Sequence, residues 1–249
     1  MAGHSHAANV ARRKNAVDAK RAKIFSKCAK AIISAVKQGG PDPDQNLKLK
    51  YAIEKAKADN MPKDNIQRAI KSASGDKSGD MEELTYEGYA AGGVAVMVAA
   101  LTDNRNRTSS DLKHIFDKRG GNLGAQGSVG FMFDFKSIFV IEAGERDEDA
   151  LTELALEVGA EDVDVADGSA TILADPTEFL DVKAALEQAD VSFLQAETGY
   201  MPQNSVAVAS KEDAKRILRL IEDLEDNEDV QNVYANYEIE DDWLAEIEG

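Results

Sequence analysis

A short polar segment, Ser72–Asp80, divides the chain into two parts with different hydrophobic patterns. Before this segment, apolar residues recur every three or four positions, which is typical of amphipathic helices. After it, short apolar runs of strand character alternate with helical patterns. Its glycines and serines favour a flexible linker, so it is the clearest domain boundary. The sequence therefore predicts a helical domain over residues 1–80, followed by mixed helices and strands.

Three helices are predicted before the boundary. The first extends from about Val10 to Lys37 and ends at Gly39-Gly40-Pro41, where glycine permits a left-handed cap and proline cannot continue the helix. The second covers Asp44–Asp59. The third follows Pro62, a residue that suits the first turn of a helix. The N-terminal part is thus predicted to be a small three-helix domain.

The rest of the chain is predicted to form two α/β domains, one inserted in the other. Residues 81–135 and 204–249 form the middle domain, and residues 136–203 form the insertion, whose βαββαβ order is that of ferredoxin-like folds. Three strands, Val129–Phe135, Val206–Ala209 and Val230–Ala235, are predicted to belong to the sheet that begins at residue 84, because those after the insertion are too few for a sheet of their own. The fold class is α+β, with an N-terminal three-helix domain followed by two sandwich-like α/β domains.

The net charge of −17 is an average over two oppositely charged parts. Residues 1–80 carry 17 lysines and arginines against 8 acidic residues, a charge of +9, whereas residues 81–249 carry 12 against 38, a charge of −26. Such asymmetry indicates a nucleic-acid-binding arm or domain. Residues 134–204 hold 3 basic and 18 acidic side chains, so the insertion is a poor phosphate binder. It is a candidate surface for a basic partner such as a ribosomal protein.

The lysines of the first predicted helix recur along the side opposite its apolar residues. Phosphate contact explains this stripe best, because each neutralised phosphate releases counterions. Two alternatives stay open: a solvated helix face, and docking of this arm on the acidic remainder of the chain, which would be autoinhibitory. The predicted nucleic-acid contacts in the N-terminal domain are His4, Arg12, Arg13, Lys14, Lys20, Arg21, Lys23, Lys27, Lys30 and Lys63.

Arg105 and Arg107 are further candidates for phosphate contact. They lie between a predicted buried strand and a helix predicted to begin near Thr108. The first turn of a helix presents unpaired N–H groups and partial positive charge, which favours anions. The alternative is a solvent-exposed turn in which Thr108 or Ser109 caps the helix.

No catalytic constellation is present in the sequence, so an enzyme is not predicted, and no catalytic, cofactor or metal site is assigned. Cys28 is the single cysteine, which excludes an intramolecular disulfide and fits a reducing compartment. The glycine-rich stretch Gly120–Gly130 lacks the Gly-Lys-Ser/Thr end of a phosphate-binding loop. Without a signal sequence or a long apolar run, the chain is predicted to be cytoplasmic and to have no membrane partner.

Several separated motifs resemble, in order, those of the YebC family, which includes bacterial regulators and the mitochondrial translational activator of cytochrome c oxidase. These motifs are Met1–Ser5, Asp18–Phe25, Gly39–Pro43, Asn60–Ile66, Tyr86–Tyr89, Leu101–Thr108 and Asp229–Tyr234. The resemblance covers nearly the whole chain. It implies a helical N-terminal domain and two α/β domains, one inserted in the other.

The resemblance also implies a nucleic-acid partner. Family members carry a DNA-binding transcription-regulator label, and members are also placed on the ribosome, where they ease synthesis of proline-rich stretches. We favour ribosomal RNA, because the chain is acidic overall and no helix-turn-helix with base-reading residues is evident; a DNA-binding transcriptional regulator is the alternative. The family commonly has Lys-Trp where this chain has His6-Ala7, which removes a stacking platform worth about 1–3 kcal/mol per base.

Overall fold

The computed structural model describes residues 21–73, 81–166 and 168–248. The architecture is α+β, with N-terminal helices followed by sheets, as the sequence predicts. In chain order the helices are α1 (Arg21–Gly39), α2 (Leu47–Ala58), α3 (Lys63–Ala73), α4 (Arg105–Lys118), α5 (Glu148–Glu157), α6 (Phe179–Gln188), α7 (Lys211–Asp226) and α8 (Asp241–Glu248). The strands are β1 (Glu82–Tyr89), β2 (Ala95–Thr102), β3 (Asn122–Leu123), β4 (Phe133–Glu142), β5 (Asp162–Ala166), β6 (Ser169–Ala174), β7 (Phe193–Pro202), β8 (Val206–Ala207), β9 (Val230–Ala235) and β10 (Tyr237–Glu238).

The described residues form two compact units. The first contains those between Ala19 and Gly130 together with Ala209–Ala235, and the second contains those of Phe131–Val208 together with Asn236–Gly249. The first unit therefore holds both the helices α1–α3 and a sheet. The division into three domains, with boundaries near residues 80, 135 and 203, stays a prediction.

Helices α1, α2 and α3 enclose an apolar core of their own. Cys28, Ile32 and Val36 of α1 are buried in it, and Ile24, Phe25 and Ile33 pack around them. α2 and α3 contribute Leu49, Ala56, Ile66, Ala69 and Ala73. The helical spacing of the apolar residues thus identifies the buried face of α1 correctly.

The turn between α1 and α2 is fixed by the buried side chain of Asn46. Its carbonyl oxygen caps α2 by accepting a hydrogen bond from Leu49 N at 3.1 Å. Its amide group donates to the carbonyl oxygens of Ala35 and Gly40, both at 2.8 Å. A Cβ atom at Gly39 would lie 2.7 Å from Asn46 Cγ, so this position requires glycine. Asn46 therefore satisfies the end of one helix and the start of the next.

The sheet of the first unit has the strand order β3-β1-β2-β9, and all its pairs are antiparallel. The central strand β2 is almost entirely buried. α4 packs against β1 and β3, α7 packs against β9, and the two helices contact each other. The prediction that β9 pairs with this earlier sheet, although about 100 residues intervene, is confirmed.

The second unit contains the predicted βαββαβ arrangement. Its sheet has the order β5-β6-β4-β7 with antiparallel pairs throughout, which is the ferredoxin-like order. Phe139 of β4 stacks on Phe179 of α6, with ring centroids 5.3 Å apart. This aromatic pair joins the helical layer to the sheet.

Two strand predictions are wrong. Val129 lies in the loop before β4, and Phe133–Phe135 begins the long strand β4, which pairs with β7 from Phe133 onward. β8 does not join the first sheet; it pairs in parallel with β10 in a separate two-stranded sheet. A short apolar run reveals a strand but not its partner, because pairing is decided by contacts far along the chain.

Candidate nucleic-acid interface

The lysine face of α1 consists of Lys23, Lys27 and Lys30. It contacts the end of α7 and the turn that follows α7. Lys27 Nζ donates a hydrogen bond to the backbone carbonyl oxygen of Glu225 at 2.5 Å. Lys30 Nζ lies 2.7 Å from Asp229 Oδ1 and forms an ion pair with it. Both lysine side chains are half-buried. In this structure Lys27 and Lys30 are therefore docked within the chain, which is one of the alternatives that the sequence leaves open for the lysine stripe.

The end of α7 is a suitable acceptor because its last turn is acidic. The final residues Asp223–Asp226 include three carboxylates, and a helix C-terminus also presents unpaired carbonyl oxygens and partial negative charge. Cations from outside α7 compensate for this negative charge. Lys23 of α1 lies 3.3 Å from Asp226 Oδ1, and Arg119 donates two hydrogen bonds to Asp223, at 2.8 and 3.1 Å. The helix thus obtains from Lys23 of α1 and from Arg119, the residue that follows α4, the positive charge that its own last turn lacks.

Burial changes the proton affinity of Lys27. Partial removal of its ammonium group from water lowers its pKa from 10.5 to about 8, although Glu225 and Asp226 favour the charged form. Desolvation therefore outweighs attraction at this lysine. Hydrogen bonds and ionic attraction hold α1 against α7. They offset the free energy that is lost when the Lys27 ammonium group is partly removed from water.

Asp229 is the buried anchor of the same contact. Its side chain is 6% exposed and receives Lys30 on Oδ1. On Oδ2 it accepts hydrogen bonds from Arg107 Nη2 at 2.8 Å, Thr108 Oγ1 at 2.8 Å and Thr102 Oγ1 at 3.2 Å. One carboxylate therefore joins α1, the first turns of α4 and the end of β2.

These contacts explain the acidity of Asp229. Burial alone would raise the pKa of its carboxyl group, but hydrogen bonds from Lys30, Arg107 and Thr108 outweigh burial and lower the pKa from 3.8 to about 2. The carboxylate is thus ionised across the physiological range. It acts as the shared counter-ion of two cations that the sequence assigns to phosphate.

Arg105 and Arg107 lie inside α4, not in a loop before it, so the predicted start at Thr108 is wrong. The cap is Asn104, whose side chain accepts a hydrogen bond from Arg107 N at 3.1 Å. Thr108 is fully buried and gives its hydroxyl hydrogen bond to Asp229, so it does not cap the helix. Both arginines are exposed, but the guanidinium of Arg107 also contacts Asp229 and Asp103. Arg107 therefore serves the Asp229 contact while about half of its side chain stays at the surface.

The glycine-rich loop after α4 is held by Glu87 of β1. The two carboxylate oxygens of Glu87 accept hydrogen bonds from the backbone N–H groups of Gly127, Val129 and Gly130, each at 2.7 Å. Burial alone would raise the pKa of Glu87, but these donors outweigh it and lower the pKa. The loop is thus an anion-binding arrangement of N–H groups that the chain fills with its own carboxylate.

The neighbours of Glu87 fix the same region. Tyr89 Oη donates to the carbonyl oxygen of Ser128 at 2.8 Å, and Tyr86 Oη donates to that of Arg105 at 3.3 Å. A Cβ atom at Gly88 would lie 2.6 Å from the carbonyl oxygen of Asn122, which excludes larger residues there. The segment Tyr86–Tyr89 thus contacts both the glycine-rich loop and the first residue of α4. Sequence reasoning missed this role, whose signal is an acidic residue within an otherwise half-buried strand.

Another group of cations faces solvent on α2 and α3. Lys50 of α2 and Lys63, Arg68 and Lys71 of α3 are exposed. On α3, Arg68 and Lys71 lie on the side away from the buried residues, and Lys63 is at the first residue of the helix. Arg68 Nη2 donates a hydrogen bond to Asn65 Oδ1 of its own helix at 2.6 Å, which leaves the guanidinium at the surface. Sequence reasoning selected Lys63 and missed the other three, although their helical spacing was available.

The remaining predicted contacts are placed as follows. Arg21 is exposed at the first residue of α1, and Lys63 begins α3. Five further predicted contacts lie outside the described residues: His4, Arg12, Arg13, Lys14 and Lys20. The assignment of this whole set to nucleic acid stays a prediction.

Among residues 21–73, 81–166 and 168–248, no group of three or more histidine, cysteine or acidic side chains is arranged to hold a metal ion. Cys28 is buried with its Sγ 3.4 Å from Asp59 Oδ2; burial and this carboxylate raise its pKa to about 12, which disfavours the reactive thiolate. None of the helices in the described part of the chain has the length and apolar character of a membrane span.

The fold and these contacts define a modular α+β protein with a basic helical segment. Residues 5–76 match the family described as TACO1/YebC protein N-terminal domain, and residues 81–237 match TACO1/YebC second and third domain. The chain belongs to the TACO1/YebC family.

Relatives of this family extend over the full length of the chain. A protein of Thermoanaerobacter pseudethanolicus is 48% identical over 97% of this chain and 98% of its own length, and one of Rubrobacter xylanophilus is 46% identical over 100% of both. Both are named probable transcriptional regulatory proteins. The crystal structure of a conserved hypothetical protein from Aquifex aeolicus is similar, with a TM-score of 0.80, 47% identity, and coverage of 90% of this chain and 93% of that one.

Proposed function

We propose that this protein is a non-enzymatic, cytoplasmic regulator of gene expression that binds nucleic acid through its basic helical segment. Its preferred partner is ribosomal RNA on the ribosome, where it acts in translation and eases synthesis of proline-rich stretches. The names of the relatives support a regulator of gene expression. The family resemblance supports nucleic acid as the partner.

The observation that carries the proposal is the exposed basic face of α3. Lys63, Arg68 and Lys71 remain at the surface after Lys27 and Lys30 have been taken up by contacts within the chain. Exposed cations on one helix face are suited to phosphates along a nucleic-acid backbone, where they displace condensed counterions. Lys50 of α2 and Arg105 of α4 are exposed as well. These groups replace Lys27 and Lys30 as the primary phosphate contacts in the proposal.

The acidity of the rest of the chain favours a partner that the ribosome supplies. The acidic ferredoxin-like part repels free nucleic acid but attracts basic ribosomal proteins. A binding site composed of RNA and basic protein thus matches both parts of this chain. A long DNA duplex offers the acidic part no complementary surface.

A DNA-binding transcriptional regulator is the second candidate, and one feature of the structure favours it. α2 and α3 are joined by only four residues, Asp59–Pro62, in which Asn60 has a left-handed conformation with φ of 59°. A short turn between two helices is found in helix-turn-helix motifs, whose second helix reads the major groove. Gln67 and Arg68 are exposed on α3, and both side-chain types form bidentate contacts with base edges.

Reversal of charge on α3 tests the proposal. Lys63→Glu, Arg68→Glu and Lys71→Glu are combined in one variant, and co-sedimentation with ribosomes is measured over a range of salt, alongside titrations of promoter DNA and random DNA. We expect the affinity for ribosomes to fall at least tenfold. Each substitution removes a positive charge that contacts phosphate and adds a negative charge that phosphate repels. A matched control combines Lys215→Glu, Arg216→Glu and Arg219→Glu on the exposed side of α7 and changes the net charge equally.

The outcomes separate the candidates. The ribosomal assignment is supported if only the α3 variant loses ribosome binding and the unmodified protein binds all DNA sequences with equal affinity. A strong preference of the unmodified protein for one DNA sequence, lost with the α3 variant, supports transcription instead. Equal ribosome and DNA binding by all three proteins would show that the basic face of α3 is a solvated surface.

A further inference from the structure

We propose that the acidic end of α7 is an autoinhibitory element that occupies the lysine face of α1 and competes there with nucleic acid. This inference rests on the proposed function and concerns regulation of the same basic segment. In the closed state the structure shows, Lys27 and Lys30 are held within the chain. In the open state they are added to the exposed cations of α2 and α3.

The contact imitates the groups that a nucleic acid would offer. Asp229 presents a carboxylate to Lys30 and Arg107 at 2.7 and 2.8 Å, and the C-terminal carbonyl oxygen of Glu225 accepts from Lys27 at 2.5 Å. Carboxylate and phosphate oxygens are equivalent partners for ammonium and guanidinium groups. An ammonium group half-buried against the end of α7 has fewer donors that a phosphate can reach, so the two partners compete for the same lysine.

The contact is also poised to open. Lys23 and Asp226, at the outer end, have side chains that are 53% and 42% exposed, so their pairing is weak and screened by salt. Lys27 bears a desolvation cost that contact with a polyanion in water would relieve. Only Asp229 is deeply buried. The outer pairs can therefore exchange with phosphates before the Asp229 anchor is disturbed.

The inference predicts that weakening the acidic side of the contact strengthens nucleic-acid binding. If only a fraction of the molecules is open, the apparent Kd is the intrinsic Kd divided by that fraction. Removing the charges of Glu225 and Asp226 raises the open fraction without altering a cation that contacts phosphate.

The test compares Glu225→Gln/Asp226→Asn with the unmodified protein. Fluorescence anisotropy is measured with a labelled single-stranded RNA of mixed sequence, about 20 nucleotides long, and with purified ribosomes. We expect Kd to fall roughly two- to tenfold, which corresponds to loss of the Lys23–Asp226 ion pair and of the Glu225 charge near Lys27. The control, Glu212→Gln/Asp111→Asn, removes two exposed carboxylates elsewhere in the same unit and should change Kd less than about twofold.

A second measurement reports on opening directly. Backbone hydrogen exchange of a peptide spanning residues 222–230 is followed in the unmodified protein with and without the RNA. Opening predicts faster exchange there when RNA is bound, whereas a purely structural contact predicts no change or slower exchange.

The results distinguish failure of the inference from failure of the proposed function. Equal Kd values for the α7 variant and its control, with binding intact and exchange unchanged, overturn autoinhibition and leave nucleic-acid binding standing. Absence of RNA and ribosome binding from every variant overturns both.

Discussion

Helices α1 and α3 are both basic and amphipathic, but the structure treats their cations differently. On α1, Lys30 keeps only 21% of its side chain exposed and pairs with Asp229. On α3, Lys63, Arg68 and Lys71 are at the surface. The pattern of charges along a helix shows which side avoids the apolar core. Whether that side meets water or another element depends on what the rest of the chain places against it.

The largest effect on stability is expected from replacing Asp229, the residue that anchors α1. Asp229→Ala leaves Lys30 and Arg107 without their shared counter-ion and should lower the free energy of unfolding by about 3 kcal/mol. Urea denaturation measures the change. Asp111→Ala on the exposed face of α4 is the control and should stay within about 0.5 kcal/mol. A similar small change at both positions would mean that α1 is no more firmly held than a surface helix.

Loss of a single donor to the anchor should have an intermediate effect. Thr108→Val removes the hydroxyl that donates to Asp229 Oδ2 at 2.8 Å and should destabilise the protein by about 1.5 kcal/mol, since hydrogen bonds to charged groups are stronger than neutral ones. Thermal unfolding detects such a change. Ser110→Val, at an exposed position of the same helix, should cost only a few tenths of a kcal/mol. If the two variants melt alike, the Asp229 network contributes little.

Acid should weaken the anchor within a defined range. Asp229 has a folded pKa of about 2 against an ordinary 3.8, so its contribution is complete above about pH 4 and is lost as the pH falls towards 2. The unfolded chain binds more protons than the folded chain in this range, so stability falls as the pH is lowered. Comparing denaturation curves of the unmodified protein and Asp229→Asn isolates the effect, because the variant cannot lose this contribution. Parallel pH profiles would contradict the assignment.

The smallest effect is expected at Lys27. Its pKa is lowered from 10.5 to about 8, so between these values the unfolded chain binds more protons and stability should rise with pH. Lys27→Met should abolish this rise. It should change the free energy of unfolding at neutral pH by no more than about 1 kcal/mol, because the variant loses a hydrogen bond but no longer has to remove a charged group from water. NMR titration of the lysine side chains should reveal one group with a midpoint near 8. Its absence would mean that Lys27 is not desolvated against α7.

Most of the fold follows from the sequence because it depends on local patterns. Apolar spacing identified the buried side of α1, and the βαββαβ order predicted the ferredoxin-like sheet. The errors concern partners. The apolar pattern predicts a strand at Val129, but the N–H group of Val129 donates a hydrogen bond to Glu87, 42 residues away. Short apolar runs do not encode which strand lies beside them.

The candidate site was only partly predictable. The charge asymmetry selected the N-terminal helices, and helical spacing would have added Arg68 and Lys71 to Lys63. The cap Asn104 was missed because Thr108 and Ser109 are equally good capping residues by type. Thr108 proved to be fully buried, a property that depends on how α4 packs.

By itself, the sequence determined the elements, their order, the basic and acidic parts and the family motifs, since these depend on neighbouring residues. Only the tertiary structure decided which cations are available. Lys30 and Asp229 are 199 residues apart in the chain but 2.7 Å apart in space. A charged side chain does not specify its counter-ion locally, because electrostatic attraction acts on whatever group folding brings near. The fate of the lysine stripe was therefore fixed by the packing of α1 against the end of α7.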